Sequence, residues 1–143
     1  MRERALVIIP TFNERVNLPV IVPQVLEQDS RLDVLVVDDN SPDGTGVLAD
    51  ELAAADARVH VLHRPSKEGL GRAYLAGFHW ARAHDYDLVL EMDADRSHDP
   101  KYLPALLAAT AEAEVVIGSR YKNGVNVINW PMSRLLLSYF ANK

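Results

Sequence analysis

Short apolar runs alternate along this chain with longer segments whose apolar residues recur every three or four positions. Such runs are typical of strands buried on both faces, and the longer segments are typical of helices that cover a sheet. The expected strands are residues 5–9, 34–37, 59–62, 88–90 and 115–117. Strands joined by helices run mostly parallel, through right-handed crossovers. The sequence therefore predicts an α/β fold with a mostly parallel open sheet and helices on both faces.

The segments between the strands carry apolar stripes at one-turn spacing. In the third helical segment, the residues expected to face the core are Leu70, Tyr74, Phe78 and Ala81. Pro23 lies inside the first helical segment and is expected to kink that helix or delay its start. Asp99, which is followed by a proline, is expected to cap a helix.

Length and composition limit the classes of protein that this chain can belong to. With 143 residues, 48% of them hydrophobic, the chain can form one domain with its own core. Its net charge of -5 argues against a protein whose affinity depends on the phosphates of nucleic acid. It contains no cysteine, which excludes disulfides, thiolate zinc sites and cysteine nucleophiles. Its apolar runs are far shorter than the ~20 residues that span a bilayer, so we expect a soluble or peripheral protein.

An acidic pair, Asp93 and Asp95, follows the fourth expected strand. Side chains two apart in a strand share a face, so both carboxylates can point at one site. Carboxylate oxygens suit Mg²⁺ or Mn²⁺, and a cation held by two carboxylates keeps open positions that substrate phosphates fill. The alternative is that these acidic residues only solvate the end of a strand.

Polar residues also follow the other expected strands. Asp38 and Asp39 end the second strand, and because neighbours point to opposite faces, one should face a ligand while the other anchors the loop. After the third strand, a locally basic segment contains Lys67 and Gly69, and glycine backbone with cations favours phosphate. This segment matches neither the Walker pattern nor the dinucleotide-binding pattern. The structural alternative for each segment is a helix-capping loop or a solvated turn.

Five motifs, at residues 7–14, 36–45, 69–71, 92–95 and 118–121, resemble the ordered motifs of family 2 inverting glycosyltransferases. Within that group the chain is most similar to dolichol-phosphate (polyprenol-phosphate) mannose synthases, over nearly its whole length. The resemblance implies a GT-A type nucleotide-binding fold and a metal-dependent mannosyltransferase. It implies GDP-mannose as donor, polyprenol or dolichol phosphate as acceptor, Mg²⁺ or Mn²⁺ as cofactor, and inversion at the sugar.

The resemblance and the polar strand ends together give the expected site. Asp95 and Arg120 are the expected catalytic residues, with Arg120 binding donor phosphate. Asp93, Asp95 and Ser97 are the expected metal ligands. His98 is expected to be a capped loop histidine, and the alternative is that it orients a ligand or the metal site. The residues expected to bind the nucleotide sugar are Pro10, Phe12, Glu14, Val37, Asp39, Lys67, Gly69, Asp93, Ala94, Asp95 and Arg120.

The resemblance also implies a domain organisation. Members of the family continue past the equivalent of residue 143, so we expect residues 1–143 to be one glycosyltransferase domain that lacks its acceptor-side segment. From Trp130 onward an amphipathic helix is expected, either at a membrane interface or packed on the protein. The expected location is the cytoplasmic face of a membrane.

Three alternatives remain at this point. The donor could be UDP-glucose or another sugar nucleotide, or the chain could bind a nucleotide sugar without turnover. A phosphoacceptor signalling domain is the weaker third alternative, because the adjacent aspartates follow the second strand and not the first.

Overall fold

A computed structural model describes residues 3–119. Strands and helices alternate along this part of the chain, as the apolar periodicity predicts. The elements are β1 (Ala5–Thr11), α1 (Leu18–Gln28), β2 (Leu32–Asp38), α2 (Thr45–Ala55), β3 (Val59–His63), α3 (Leu70–Ala83), β4 (Leu88–Glu91), a 3₁₀ turn (Pro100–Tyr102) and α4 (Leu103–Ala109).

The four strands form one parallel sheet in the order β3-β2-β1-β4. β1 is central, and Ile8 pairs with Leu35 of β2 on one side and with Glu91 of β4 on the other. Since all four strands run the same way, their carboxyl ends meet at one edge of the sheet, the carboxyl edge. Their amino ends meet at the opposite edge, the amino edge. Ligands of open parallel sheets bind beyond the carboxyl edge.

Helices cover both faces of the sheet, which confirms the predicted layering. On one face, α1, α2 and α4 pack on alternate residues of β1 and β2, including Val7 and Val34. On the other face, α3 packs on Leu6, Ile8 and Leu35. The central strands are therefore buried on both sides, which is why they read as continuous apolar runs.

The predicted core stripe of α3 is right in part. Ala81 is buried and Tyr74 packs half-buried against the core, but the prediction is wrong at the other two positions. Leu70 and Phe78 are 55% and 40% exposed, and the buried residues of α3 are all small: Ala73, Gly77 and Ala81. A Cβ atom at Gly77 would lie 2.8 Å from side-chain carbons of Ile8. Small residues let the backbone of α3 approach β1 closely. The face of α3 that packs most closely on the sheet is therefore hard to recognise in the sequence, because small residues add little hydrophobicity.

The predicted fifth strand is also wrong for the part of the chain that the structure describes. Residues 115–117 have no regular structure there, and Val115 and Ile117 are 78% and 84% exposed. A strand needs a hydrogen-bonded neighbour. Within residues 3–119 this segment pairs with none of the four strands.

Two local expectations have clear outcomes. Pro23 lies inside α1, which begins at Leu18, so the proline does not delay the start of the helix. Asp99 caps the 3₁₀ turn by accepting a hydrogen bond from the backbone of Lys101 (3.0 Å). Among the helices that the structure describes, none is long and apolar enough to cross a membrane. The helix expected from Trp130 onward lies outside the described residues.

Candidate active site

A cleft of about 290 Å³ opens at the carboxyl edge. The ends of β1, β2 and β4, the loop after β3 and the first turn of α3 supply its walls. Its lining residues are Pro10, Thr11, Phe12, Glu14, Asp39, Lys67, Gly69, Leu70, Ala73, Asp93, Ala94 and Asp95. Nine of these residues are among those that the sequence predicts to bind the nucleotide sugar. The fold thus brings four separated motifs into one site.

Three predicted site residues do not line this cleft. Val37 is fully buried and packs with Leu6 and Ile8 in the core, so its place in a nucleotide pocket is not what the structure describes. Ser97 is not part of the cleft wall. Arg120 lies outside the described residues.

The two adjacent aspartates at the end of β2 divide their roles as the strand alternation predicts. Asp38 is buried, and its carboxylate accepts hydrogen bonds from the hydroxyls of Thr11 (2.8 Å) and Ser41 (2.7 Å). The backbone N–H of Ser41 adds a third hydrogen bond (3.1 Å). Asp38 therefore ties the end of β1 to the loop after β2, while Asp39 faces the cleft.

Asp39 has a partner that sequence reasoning missed. Nη1 of Arg64 donates to Oδ1 of Asp39 (3.1 Å), and Nη2 of Arg64 donates to Glu68 (2.8 Å). Burial raises the pKa of Asp39, and the positive charge of Arg64 opposes this shift without reversing it. The only signal for Arg64 in the sequence is its place in the basic segment after β3.

The loop after β3 reaches over the cleft towards β1. The Lys67 ammonium lies 4.5 Å from the centroid of the Phe12 ring, which is a cation–π distance. Gly69, just before α3, has a φ of 98°, a conformation that residues with a side chain rarely adopt. A cation, an aromatic face and a glycine that exposes backbone therefore lie together at the cleft.

Asp93 is held by two contacts. Its Oδ1 accepts a hydrogen bond from the hydroxyl of Tyr74 (2.9 Å), and its backbone N–H donates to Nδ1 of His98 (3.1 Å). Burial, followed by the negative charge of Asp93, raises the pKa of Tyr74. His98 is thus a loop histidine, as expected. Sequence analysis assigned Tyr74 to the core stripe and missed this contact.

Asp95 is exposed at the mouth of the cleft. Its Oδ1 accepts hydrogen bonds from the backbone N–H (2.9 Å) and the hydroxyl (2.6 Å) of Ser97. Within residues 3–119, no three His, Cys, Asp or Glu residues come together in a way that could hold a metal ion. Asp93 and Asp95 nevertheless both line the cleft, and two carboxylates suit a hard cation that keeps open positions for phosphate.

Turns at the carboxyl edge use unusual backbone. Asn13, Asn40 and Arg96, which follow β1, β2 and β4, have φ values of 57°, 55° and 66°. Asparagine tolerates this region through local hydrogen bonds, whereas arginine has no such compensation. Arg96 sits directly after Asp95, so the chain turns sharply immediately after the acidic pair.

A parallel sheet with one cleft at its carboxyl edge, walled by carboxylates, a cation and a glycine loop, defines a class of α/β proteins suited to phosphate-bearing ligands. Within that class the chain belongs to glycosyl transferase family 2, whose model matches residues 6–143. This confirms the family inferred from the sequence.

Curated relatives carry more specific names. The chain is 59% identical over 142 residues to a polyprenol monophosphomannose synthase of Mycolicibacterium smegmatis, covering 98% of this chain and 54% of that protein. It is 53% identical over 136 residues to an undecaprenyl-phosphate mannosyltransferase of Micrococcus luteus, covering 95% of this chain and 56% of that protein. The chain thus spans about half the length of these relatives.

A solved structure supports the fold. A mannosyltransferase from Pyrobaculum calidifontis, in complex with GDP-Man and Mn²⁺, is similar with a TM-score of 0.57 and 28% identity. The match covers 66% of this chain and 28% of that one. The predicted GT-A type fold is confirmed by this likeness together with the family match.

Proposed function

We propose that this chain transfers mannose from GDP-mannose to a polyprenol phosphate, with inversion at the anomeric carbon and with Mg²⁺ or Mn²⁺. The observation that carries the proposal is the convergence of nine expected donor-binding residues on one cleft. Identity of 53–59% to a polyprenol monophosphomannose synthase and an undecaprenyl-phosphate mannosyltransferase supports the choice of sugar and acceptor.

The nucleoside end of the donor would lie between β1 and β2. Phe12 offers an aromatic face, and the Asp39 carboxylate can accept hydrogen bonds from the N–H groups of guanine. Arg64 orients that carboxylate through its contact with Oδ1 (3.1 Å). Guanine presents adjacent donors on one edge, so a carboxylate held in this way would favour it.

The diphosphate end would lie between the loop after β3 and the acidic pair. Lys67 supplies positive charge and Gly69 exposes backbone at the start of α3, where N–H groups favour anions. Asp93 and Asp95 would hold the divalent cation, which when bound neutralises charge on the leaving diphosphate. Arg120 would bind donor phosphate as well.

The acceptor needs little activation. A lipid phosphate is anionic near neutral pH, so its oxygen can attack the anomeric carbon without a strong general base. The carbon–oxygen bond to GDP breaks as the new bond forms on the opposite face of the sugar. A single displacement therefore converts an α-linked donor to a β-linked product.

The acceptor also sets the proposed location. A polyprenol phosphate resides in a membrane while a nucleotide sugar is dissolved in water, so the protein would act as a peripheral protein at the cytoplasmic face. Sedimentation with vesicles that contain polyprenol phosphate, compared with vesicles that lack it, tests this location. If all of the protein stays in the supernatant with both kinds of vesicle, this location is contradicted.

The direct test is calorimetric titration with GDP, GDP-mannose and UDP-glucose, each with and without Mn²⁺. We expect the guanosine ligands to bind most tightly and Mn²⁺ to strengthen them. In Asp95→Ala the effect of Mn²⁺ should disappear, because one of the two carboxylates proposed to hold the cation is gone. If UDP-glucose binds more tightly than the guanosine ligands, GDP-mannose is not the donor. If Mn²⁺ does not change the affinity of any nucleotide, the metal is not part of the site.

A matched control is Asp85→Asn. Asp85 is an exposed aspartate in the turn between α3 and β4, at the amino edge, and its loss changes the net charge in the same direction. We expect this variant to bind GDP and to respond to Mn²⁺ as the wild type does. An equal loss in both variants would mean that overall charge, not the cleft, controls binding.

A second candidate is a nucleotide-sugar-binding module without turnover. The observation in its favour is that the chain spans about half of its curated relatives while containing the donor-side cleft. Tight binding of GDP-mannose with no transfer of radiolabelled mannose to polyprenol phosphate would select this candidate. Transfer by the same preparation would exclude it.

A further inference from the structure

We infer that Tyr74 is a positioning residue, which fixes the Asp93 carboxylate for the divalent cation and the donor diphosphate. The inference rests on the proposed function, because it concerns the same cleft. It adds a residue outside the five sequence motifs.

The contact itself is specific. The Tyr74 hydroxyl donates to Oδ1 of Asp93 at 2.9 Å, across 19 positions of sequence. A tyrosine hydroxyl has one hydrogen to donate, and a carboxylate oxygen accepts it. A carboxylate has two oxygens and about four lone pairs, so one hydrogen bond to Oδ1 leaves capacity for a cation.

The elements on both sides of the contact are firmly placed. Tyr74 lies between Ala73, which is buried and lines the cleft, and the Gly77 position where α3 meets Ile8 of β1. On the other side, the backbone of Asp93 is bonded to His98 (3.1 Å). The hydroxyl is therefore presented from a helix that packs closely on β1 to a residue whose backbone N–H is hydrogen-bonded.

Groups that orient metal-binding carboxylates affect metal affinity strongly. Removing such a partner typically costs about 10–100-fold in metal affinity or activity. Tyr74 touches neither the cation nor the donor in this assignment, so its effect must pass through Asp93. Its loss should weaken the gain in nucleotide affinity that Mn²⁺ provides, and should leave metal-free binding unchanged.

The test is Tyr74→Phe, which removes one oxygen and keeps the ring. The quantity to measure is the ratio of GDP dissociation constants without and with Mn²⁺, by calorimetry. We expect Tyr74→Phe to lower this ratio by about tenfold. Because the ratio is taken within each variant, a general loss of folded protein cancels.

The chain provides a matched control in Tyr86→Phe. Tyr86 also donates its hydroxyl to an aspartate, Asp33 (2.6 Å), but at the amino edge. This variant loses the same kind of hydrogen bond far from the cleft, so its ratio should equal that of the wild type. Thermal unfolding of both variants verifies that each is folded at the temperature of titration.

Several outcomes overturn the inference. A Tyr74→Phe ratio equal to that of the wild type would show that the hydroxyl does not position Asp93. Equal weakening of GDP with and without Mn²⁺ would show a structural role only. In either case a wild type that responds to Mn²⁺ leaves the proposed function standing, whereas a wild type that binds no GDP, or ignores Mn²⁺, overturns both.

Discussion

Two tyrosine–aspartate hydrogen bonds lie at opposite edges of the same sheet. At the carboxyl edge, Tyr74 donates to Asp93 (2.9 Å) in the wall of an open cleft. At the amino edge, Tyr86 donates to Asp33 (2.6 Å). The pairs are chemically alike, so any difference in what they do comes from their surroundings.

The surroundings differ in how fully the carboxylate is enclosed by the protein's own groups. Asp33 also lies 3.3 Å from Nε2 of His60 and 3.8 Å from the guanidinium of Arg4. That guanidinium covers the Tyr86 ring at 4.2 Å. Asp33 is thus neutralised by the protein, whereas Asp93 shares a cleft with Asp95, a second negative group. The amino edge surrounds its carboxylate with the protein's own groups, and the carboxyl edge leaves carboxylates in the wall of an open cleft, where we propose that they bind a ligand.

The strongest test of this difference between the two edges is the substitution Asp33→Ala. Its removal takes the carboxylate acceptor from the half-buried Tyr86 hydroxyl, which keeps only the longer contact with Nε2 of His60 (3.2 Å), and takes away the anion beside Arg4. We expect the free energy of unfolding to fall by about 2 kcal/mol, measured by urea denaturation, with GDP affinity unchanged. A loss of GDP binding in folded Asp33→Ala would show that the amino edge contributes to the site.

Asp93→Ala should give the opposite profile. We expect affinity for GDP in the presence of Mn²⁺ to fall at least about tenfold, equivalent to about 1.4 kcal/mol, because a proposed ligand of the cation is lost. The free energy of unfolding should change by less than it does in Asp33→Ala. Calorimetry and urea denaturation on the same preparations measure both quantities, and a larger stability loss than in Asp33→Ala would contradict the division of roles.

The pH dependence of stability provides a further test of the cleft carboxylates, at Asp39. Burial raises the pKa of this carboxyl, so the folded protein holds the proton more tightly than the unfolded chain. The free energy of unfolding that Asp39 contributes therefore falls as pH rises through the folded pKa. Relative to Asp39→Asn, the wild type should gain stability from pH 7 to about pH 4.5. Urea denaturation at both pH values measures this, with Asp85→Asn as control; a parallel change in wild type and Asp39→Asn would refute it.

The smallest expected effect concerns backbone strain at the carboxyl edge. Arg96 has a φ of 66°, which glycine adopts freely, so Arg96→Gly should raise the free energy of unfolding by about 0.5 kcal/mol. Asp85, with a φ of 58° at the amino edge, is a residue type that tolerates this region. Asp85→Gly should therefore gain less. Thermal denaturation compares the two, and equal shifts would mean that no special strain is stored beside the acidic pair.

Much of the fold is predictable because it depends on local patterns. Continuous apolar runs identify β1 and β2, and the alternation of strand side chains separates the buried Asp38 from the cleft-facing Asp39. The carboxyl edge then follows from the parallel order of the strands. These inferences need no knowledge of distant contacts.

The remainder depends on contacts between distant residues. The close packing of α3 uses Gly77 and its small neighbours, which have little hydrophobic signal. Arg64 and Tyr74 contact Asp39 and Asp93, which lie 25 and 19 positions away in the sequence. Val37 sits in a family motif, yet its side chain turns into the core. The apolar run at residues 115–117 lacks a strand neighbour within residues 3–119.

Because α3 approaches β1 closely at Gly77, the residue at this position affects the shape of the cleft without lining it. A methyl group there would meet Ile8 at 2.8 Å, well inside ordinary carbon contact, so the helix would have to move away from the sheet. The first turn of that helix carries Leu70 and Ala73 of the cleft wall, and a displacement of about 1 Å can cost 10²-fold in rate. In a screen for lost activity, substitutions of Gly77 would resemble active-site mutations, although this residue lines no part of the cleft.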